Sequence, residues 1–526
     1  KYHNPIITGF HPDPSVCRVG NDFYLVNSSF EYFPGIPIYH STDLTHWEQI
    51  GHVLDRKSQL RLVSGAPNCL GIYAPTIRYH EGIFYCIVTN VGGRSGGNFF
   101  VYTTDPYGKW SNPVKLPFAG IDPSLFFDED GRIYYTGTDT GIYMAEITFD
   151  VIKNNNPKRN ELPVSIQNVK CGEKHYIWNG SGGNNPEGPH LYRIHDMYYL
   201  MIAEGGTEYC HMVTIARSNN IYGPYEACPH NPVLSNRSTG LNIKAIGHGS
   251  WWAVCLGIRP LGYPFRHNLG RETMLAPVKW ENGWPVMGDN GTVTETFEVE
   301  TAPGKKTRKS DYYIPGSNVT DTFCSRKLHP SWNTIYTPVS KFVKPTGHGL
   351  SLCAYDTTLS DDKPKAILVR RQEHFQFTAT ATLTLQSVNA GSEAGITIYM
   401  NNRHHYEAAL STAGNGQYFL ILRRRIGSLQ AVEARIPFHC STVQLILTGD
   451  KNHYTFSYLD VKPDENPMPA SAAFPSAVNA PVFIGEGESQ YLTTEAGGCF
   501  TGNFIGLYVS KGEALFTKFS YQGGRS

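Results

Sequence analysis

Three acidic residues lie at matching points of a sequence pattern that recurs along the chain. Asp13 and Asp122 each precede a Pro-Ser pair, and Glu187 precedes a Gly-Pro pair. After each acid come a short strand-like stretch, a polar turn and a second strand rich in aromatic residues. A carboxyl group can donate a proton, accept one or activate a water molecule. Three of them in one place could therefore carry out general acid–base catalysis.

The acids belong to an internal repeat. The same pattern begins at Ala74 without an acid, and a weaker fifth copy ends at 250–254, so copies recur roughly every 50 to 65 residues. One hairpin cannot bury its apolar face alone, so five copies predict the five blades of a β-propeller packed around an axis. Equivalent positions would bring Asp13, Asp122 and Glu187 into one central funnel. A lone Asp-Pro often only starts a strand after a turn, but three acids in matching register favour a shared site.

The composition limits the class of ligand. Lys+Arg and Asp+Glu both number 45, and this zero net charge disfavours nucleic acids and anionic membranes as partners. Aromatic residues make up 13%, and with 52 Gly and 34 Pro they suit short strands joined by tight turns. Aromatic faces also recognise neutral sugars, so we predict an oligosaccharide or polysaccharide substrate. No run of 18 apolar residues occurs, which predicts that the chain has no membrane span.

A change of pattern predicts two domains, both all-β. The repeat stops near the end of residues 1–300, which we expect to form the propeller. Residues 301–317 are polar and basic and are predicted to be a linker. Strand patterns return over 318–526, and the strict alternation at 376–385 is typical of a sheet with one buried face. The second domain is therefore predicted to be a β-sandwich.

The motifs around the acids resemble glycoside hydrolase family 43. The similarity lies at 9–15, 28–37, 74–78, 120–124, 186–189 and 269–273. The C-terminal half is similar to the concanavalin-like, jelly-roll sandwich that accompanies some members. The resemblance thus covers the whole chain, and it implies a catalytic five-bladed propeller followed by such a sandwich.

The resemblance also implies a role for each acid. Asp13 would be the general base that activates water, and Glu187 would be the general acid. Asp122 would tune the pKa of the acid and hold its orientation. In an inverting glycosidase the base and the acid stand roughly 6.5–9.5 Å apart, which leaves room for the water molecule.

Further site residues follow from the same resemblance. Phe30 and the pair Tyr73 and Ala74 would wall the sugar pocket, and Tyr73 stands where relatives commonly carry tryptophan. Arg271 would hydrogen-bond sugar hydroxyls, Thr207 would lie on the matching strand, and Phe500 of the sandwich would close the pocket. His248 would help hold a hydrated calcium ion on the propeller axis. The ion would be structural or electrostatic, and the chemistry itself would need no cofactor.

The function expected from these features is the inverting, exo-acting release of terminal α-L-arabinofuranosyl residues from plant cell-wall glycans. A β-D-xylosidase or a bifunctional enzyme is the alternative, and a non-catalytic carbohydrate-binding propeller is disfavoured because all three acids are present. The sequence leaves open whether the natural polymer is arabinoxylan, arabinan or xyloglucan, and it does not give the oligomeric state.

The chain begins at Lys1 without an apolar leader, which predicts a mature, periplasmic or secreted form.

Overall fold

The computed structural model describes residues 1–62, 68–92, 96–298, 318–461 and 480–524. These residues form two compact units. The first contains 1–62, 69–92, 96–260 and 271–298, and the second contains 68, 261–270, 318–461 and 480–524. The predicted linker, 301–317, lies outside the described residues.

The first unit is a five-bladed β-propeller, which confirms the prediction from the repeat. Each blade is an antiparallel sheet, and the two strands seen in each sequence copy are neighbours in that sheet. The leading strands of successive blades contact one another in a closed ring around the axis. The strands are Ser15–Val19, Asp22–Val26, Gly35–Ser41 and Glu48–Leu54 in blade 1; Gly71–Ile72, Thr76–His80, Ile83–Val91, Gly97–Thr103 and Val114–Lys115 in blade 2; Ile121–Phe127, Ile133–Thr138, Ile142–Lys153, Val164–Cys171 and His175–Trp178 in blade 3; Glu187–Ile194, Met197–Glu204, Met212–Ser218 and Glu226–Ala227 in blade 4; and Lys244–Ser250, Val254–Ile258 and Glu272–Leu275 in blade 5.

Blade 5 is shorter than the other blades. Its sheet has three strands, and Val278–Glu281 and Trp284–Met287 form a separate hairpin. Only three residues connect its first two strands, and two of them, Trp252 and Ala253, have φ angles of 79° and 48°. Bulky side chains rarely occupy this left-handed region. The first two strands of blade 5 are therefore joined by an unusually tight turn.

The N-terminal segment closes the ring against blade 5. Tyr2–His3 pairs with Thr296–Phe297 as a two-stranded sheet. The side-chain amide of Asn4 donates hydrogen bonds to the carbonyls of Leu275 and Thr294, and its oxygen accepts one from the Leu275 amide. Because Asn4 is buried, these bonds replace those that the backbone groups would make with water.

The second unit is a β-sandwich of two antiparallel sheets. Phe377–Leu385 alternates strictly between buried and half-buried residues, as the sequence pattern predicted. Its buried side packs into one apolar core with residues of the facing sheet, such as Leu420 and Leu507. One sheet contains Val343–Pro345, Leu350–Cys353, Glu513–Gly523, Phe377–Leu385, Thr442–Gly449, His453–Asp460, Val482–Glu488 and Asn318–Asp321; the other contains Leu429–Phe438, Gln417–Ile426, His404–Gly414, Glu393–Asn401, Phe504–Lys511, Ala366–Arg371 and Asn333–Ile335.

Helix is scarce in the described part of the chain. It contains one α-helix, Thr494–Gly497, and two 3-10 turns, Val339–Lys341 and Ser489–Tyr491. Tyr32–Phe33 is a further short strand. Among these residues no helix has the length and apolar character needed to cross a bilayer.

Candidate active site

The three acids begin the leading strands of three blades. Asp13 lies two residues before Ser15–Val19, Asp122 is the second residue of Ile121–Phe127, and Glu187 is the first of Glu187–Ile194. The pairing register shifts directly after Asp122 and after Glu187. Such bulges turn a side chain away from the regular pleat, so the acids can point differently from the residues that follow them.

The backbone is left-handed at Asp13 and Asp122 and directly after Glu187. Asp13 and Asp122 have φ angles of 51° and 55°. In blade 4 the equivalent turn falls one residue later, at Gly188, which has a φ angle of 60°. Such angles cost a non-glycine residue of order 1–3 kcal/mol and are found most often at functional sites.

His248, on the leading strand of blade 5, brings the three acids together. Its Nε2 lies 3.4 Å from Asp122 Oδ2 and 3.5 Å from Glu187 Oε1, and its Nδ1 lies 4.0 Å from Asp13 Oδ1. Asp13, Asp122 and His248 are buried, and Glu187 is slightly more open, with 13% of its side chain exposed. The structure thus gathers the predicted acids around one imidazole.

The carboxylates keep His248 charged. Burial alone would lower its pKa, but Asp13, Asp122 and Glu187 together raise the pKa of His248 well above its usual value of 6.5. A protonated imidazole donates from both nitrogens. His248 therefore acts as a positive centre between the acids.

Asp13 is held ionised by donors from two blades. The Ser28 hydroxyl donates to Oδ2 at 2.5 Å, and Arg271 Nη1 donates to Oδ1 at 3.1 Å. Burial raises the pKa of Asp13, but Arg271, His248 and Ser28 outweigh it, so that the pKa lies below 3.8. At neutral pH Asp13 is a carboxylate, which is the form that can accept a proton from water.

Asp122 contacts the backbone that carries Glu187. Its Oδ2 accepts a hydrogen bond of 3.1 Å from the amide of Gly188, the residue after Glu187. Asp122 and Glu187 also share His248 Nε2 as a neighbour. These contacts suit the orienting role predicted for Asp122.

The predicted sugar-pocket residues of the propeller lie beside Asp13. The rings of Phe30 and Tyr73 are 5.1 Å apart, and the Arg271 guanidinium lies 5.6 Å from the Phe30 ring. Ala74 follows Tyr73 and is buried. Aromatic rings and an arginine next to a carboxylate provide both an apolar wall and hydrogen-bond donors for a sugar.

Two predicted positions lie elsewhere. Thr207 does not lie on a strand, so that prediction was wrong: it lies in the loop between Met197–Glu204 and Met212–Ser218. Gly205 and Gly206, with φ angles of 92° and 73°, end the strand before it. Phe500 is in the second unit, with 41% of its surface exposed, and its role in closing the pocket stays a prediction.

Sequence reasoning missed His211, which stacks on His248. The two rings are 5.8 Å apart and nearly parallel. Burial lowers the pKa of His211 to about 4, and its Nδ1 bonds to the carbonyl of Gly206, so the ring is neutral with a lone pair on Nε2. A β-carbon at Gly247 would lie 1.3 Å from His211 Cδ2. Gly247 was the one sign in the sequence that a neighbouring group needs this space. It could not show that the group is the His211 ring.

One group of side chains at His248 does not by itself fit a directly bound calcium ion. Glu187, His211 and His248 place ligand atoms within 4.8 Å of one another. Calcium prefers roughly six to eight oxygen ligands, whereas this group offers one carboxylate and two imidazoles. The hydrated calcium ion implied by the resemblance stays a prediction.

The charge of Arg271 predicts a measurable pH effect. In Arg271→Met we expect the acidic limb of the kcat/KM profile to move to higher pH, because Asp13 loses a cation that lowers its pKa and protonated Asp13 cannot accept a proton. We also expect kcat/KM to fall about 10- to 100-fold through loss of charged hydrogen bonds to the sugar. Arg132→Met, which removes a surface ion pair with Asp130, is the control. An unshifted acidic limb in Arg271→Met would contradict the assignment.

A propeller that collects carboxyl groups, an arginine and aromatic rings at its axis defines a glycoside hydrolase. The profile described as Glycosyl hydrolases family 43 matches residues 2–285. The chain belongs to this family. The profile described as Beta xylosidase C-terminal Concanavalin A-like domain matches residues 320–522, which confirms the concanavalin-like sandwich.

Relatives match the chain along most of its length. Non-reducing end alpha-L-arabinofuranosidase BoGH43B of Bacteroides ovatus is 39% identical over 97% of this chain and 91% of its own. A Xylosidase/arabinosidase of Butyrivibrio fibrisolvens is 37% identical over 77% of this chain and 79% of its own. The solved structure described as Bacteroides ovatus Xyloglucan PUL GH43B superimposes with a TM-score of 0.84 at 35% identity, covering 99% of this chain and 100% of that one.

Proposed function

We propose that this glycoside hydrolase is an inverting, exo-acting α-L-arabinofuranosidase. The observation that carries the proposal is the arrangement of Asp13 and Glu187 around His248. The two carboxyl groups face different nitrogens of the imidazole, at 4.0 Å and 3.5 Å. Because the two contacts are to different nitrogens, the carboxyl groups occupy different positions at the axis, and in the proposed inverting mechanism a water molecule lies between them.

In the proposed reaction Asp13 takes a proton from water as the water oxygen bonds to the anomeric carbon. The bond from that carbon to the leaving oxygen breaks on the opposite face, and Glu187 gives its proton to the leaving oxygen. The released sugar has inverted configuration. Asp122 holds the backbone of Gly188 and thereby orients Glu187.

The choice of sugar rests on the relatives. The Bacteroides ovatus relative is named for arabinofuranosidase activity, and the Butyrivibrio fibrisolvens relative for both xylosidase and arabinosidase activities. A bifunctional enzyme or a β-D-xylosidase is therefore the second candidate. The solved neighbour is named for xyloglucan, so we propose arabinosylated xyloglucan oligosaccharides as the first natural substrate to try. The periplasmic or secreted location stays a prediction.

Synthetic glycosides test this proposal. We expect kcat/KM for 4-nitrophenyl α-L-arabinofuranoside to exceed that for 4-nitrophenyl β-D-xylopyranoside. A tenfold or larger preference for the xyloside would overturn the choice of sugar. Proton NMR of the first product formed distinguishes β-L-arabinofuranose, the inverted anomer, from the retained one, and retention would overturn the mechanism.

A further inference from the structure

Glu204 is a buried carboxyl group in blade 4 that takes no part in the proposed reaction. It is the last residue of Met197–Glu204 and is fully buried. The residue before it, Ala203, pairs with Glu187 across the sheet. A carboxyl group removed from water costs free energy unless hydrogen-bond donors surround it. The donors around Glu204 therefore indicate what the residue does.

A glycine-rich loop, residues 179–186, supplies donors to this carboxyl group. The loop joins the last strand of blade 3 to Glu187, which begins the leading strand of blade 4. The amide of Ser181 donates a hydrogen bond to Glu204 Oε1. Burial raises the pKa of Glu204, and hydrogen bonds from the loop and from Thr214 oppose the rise. The loop and the buried carboxyl group thus stabilise each other.

Two glycines allow the loop to approach the carboxyl group closely. A β-carbon at Gly180 would overlap Glu204 Oε1, and one at Gly183 would lie 2.8 Å from Glu204 Cβ. Gly180 also has a φ angle of 86°, which favours glycine. Among the described residues, a β-carbon at Gly182 would have only its chain neighbours within 4 Å. The close approach is therefore specific to the side of the loop that faces Glu204.

Further hydrogen bonds hold the loop between this contact and Glu187. The amide of Gly205 donates to the carbonyl of Asn184 at 2.7 Å. The hydroxyl of Thr138 donates to the carbonyl of Pro186 at 3.0 Å. Because Gly205 directly follows Glu204, one turn of blade 4 holds the loop at two points. Loss of the Glu204 carboxyl group would leave the glycine-rich start of the loop without its anchor.

We propose that Glu204 is a positioning residue for the general acid, because it binds the loop that leads into Glu187 and so holds Glu187 within reach of the leaving oxygen. Proton transfer requires hydrogen-bond distance between the acid and that oxygen. A displacement of about 1 Å can lower a rate about 10²-fold. Glu204 acts through the loop and not on the sugar. This inference rests on the proposed role of Glu187.

The test compares two substrates whose leaving groups need different amounts of acid assistance. Methyl α-L-arabinofuranoside releases an aliphatic alcohol and needs the proton, whereas 4-nitrophenyl α-L-arabinofuranoside releases a stable anion. In Glu204→Ala we expect kcat to fall at least about tenfold on the methyl glycoside and less than about threefold on the 4-nitrophenyl glycoside. Methanol is small, so a selective loss cannot come from lost contacts with a leaving sugar. Glu204→Gln, whose amide oxygen can still accept from Ser181, should retain most of the activity.

Two loop variants provide a second test that leaves Glu204 in place. Gly180→Ala sets a β-carbon against Glu204 and should show the selective loss on the methyl glycoside. Gly182→Ala lies in the same loop, at a φ angle of 107°, but its β-carbon does not reach Glu204. It is the matched control for backbone strain and should show no selective loss. This pair decides the question if Glu204→Ala does not fold.

A double variant shows whether Glu204 acts through Glu187. In a Glu187→Gln background, Glu204→Ala should cause no further loss on the methyl glycoside, because the proton is already absent. An additive further loss, equal losses on both substrates in folded Glu204→Ala, or equal effects of Gly180→Ala and Gly182→Ala would overturn the inference. If Glu187→Gln alone shows no selective loss, the proposed role of Glu187 is overturned and this inference with it. The corresponding β-D-xylopyranosides replace the pair if the enzyme prefers xylosides.

Discussion

Asp13→Ala is expected to lower kcat by about 10³- to 10⁴-fold, because removal of a general base costs up to about this factor. The water molecule would then lack an acceptor for its proton when it attacks the anomeric carbon. Ser28, Arg271 and His248 all stabilise the charge of Asp13, and each would lose its contact with that carboxylate. Initial rates on a 4-nitrophenyl glycoside measure the loss.

Adding azide distinguishes an Asp13→Ala enzyme that lacks only its base from one that is misfolded. It attacks carbon without giving up a proton, so it should restore part of the turnover of Asp13→Ala and give a glycosyl azide, while Glu187 still protonates the leaving oxygen. Because Ala removes the carboxylate that Arg271 contacts, Asp13→Asn serves as a second variant of nearly the same shape. Near-normal turnover in both variants, with water alone, would rule out Asp13 as the base.

Glu187→Gln is expected to show a loss that depends on the leaving group. With an arabinosylated oligosaccharide, kcat should fall about 10²- to 10⁴-fold, because an aliphatic alkoxide leaves poorly without a proton. With 4-nitrophenyl α-L-arabinofuranoside the loss should be far smaller, since 4-nitrophenolate leaves as a stable anion. Parallel kcat measurements on the two substrates test the role of Glu187.

The matched control is Glu208→Gln, in the exposed hairpin loop that follows the second strand of blade 4. It should leave both substrates unaffected. Equal losses on both substrates in Glu187→Gln would indicate a binding role for Glu187 and would argue against proton donation.

The architecture could be predicted because it repeats. Each blade must bury the same hairpin face, so strand, turn and aromatic strand recur, and Asp13, Asp122 and Glu187 fall at equivalent places. Their backbone could not be predicted in the same way. A residue before proline usually adopts an extended conformation, yet Asp13 and Asp122, which both precede proline, are left-handed. Contacts with residues that are distant in the sequence hold these φ angles, and contacts of this kind leave no pattern in the sequence around each Asp.

Features that depend on contacts between neighbouring blades were missed. His211 has no motif of its own, and its place beside His248 depends on the space left by Gly247. Thr207 was assigned to a strand from the resemblance, but Gly205 and Gly206, both with positive φ angles, allow the chain to leave the sheet there.

The closed ring has a consequence for protein synthesis. Asp13 leaves the ribosome before Arg271, its charged partner, which follows 258 residues later. A nascent chain that stops before blade 5 contains all three carboxyl groups but has neither Arg271 nor His248 to set their charge. We therefore expect hydrolysis only once the whole propeller has been translated, and a chain truncated before blade 5 should be inactive although it contains Asp13, Asp122 and Glu187.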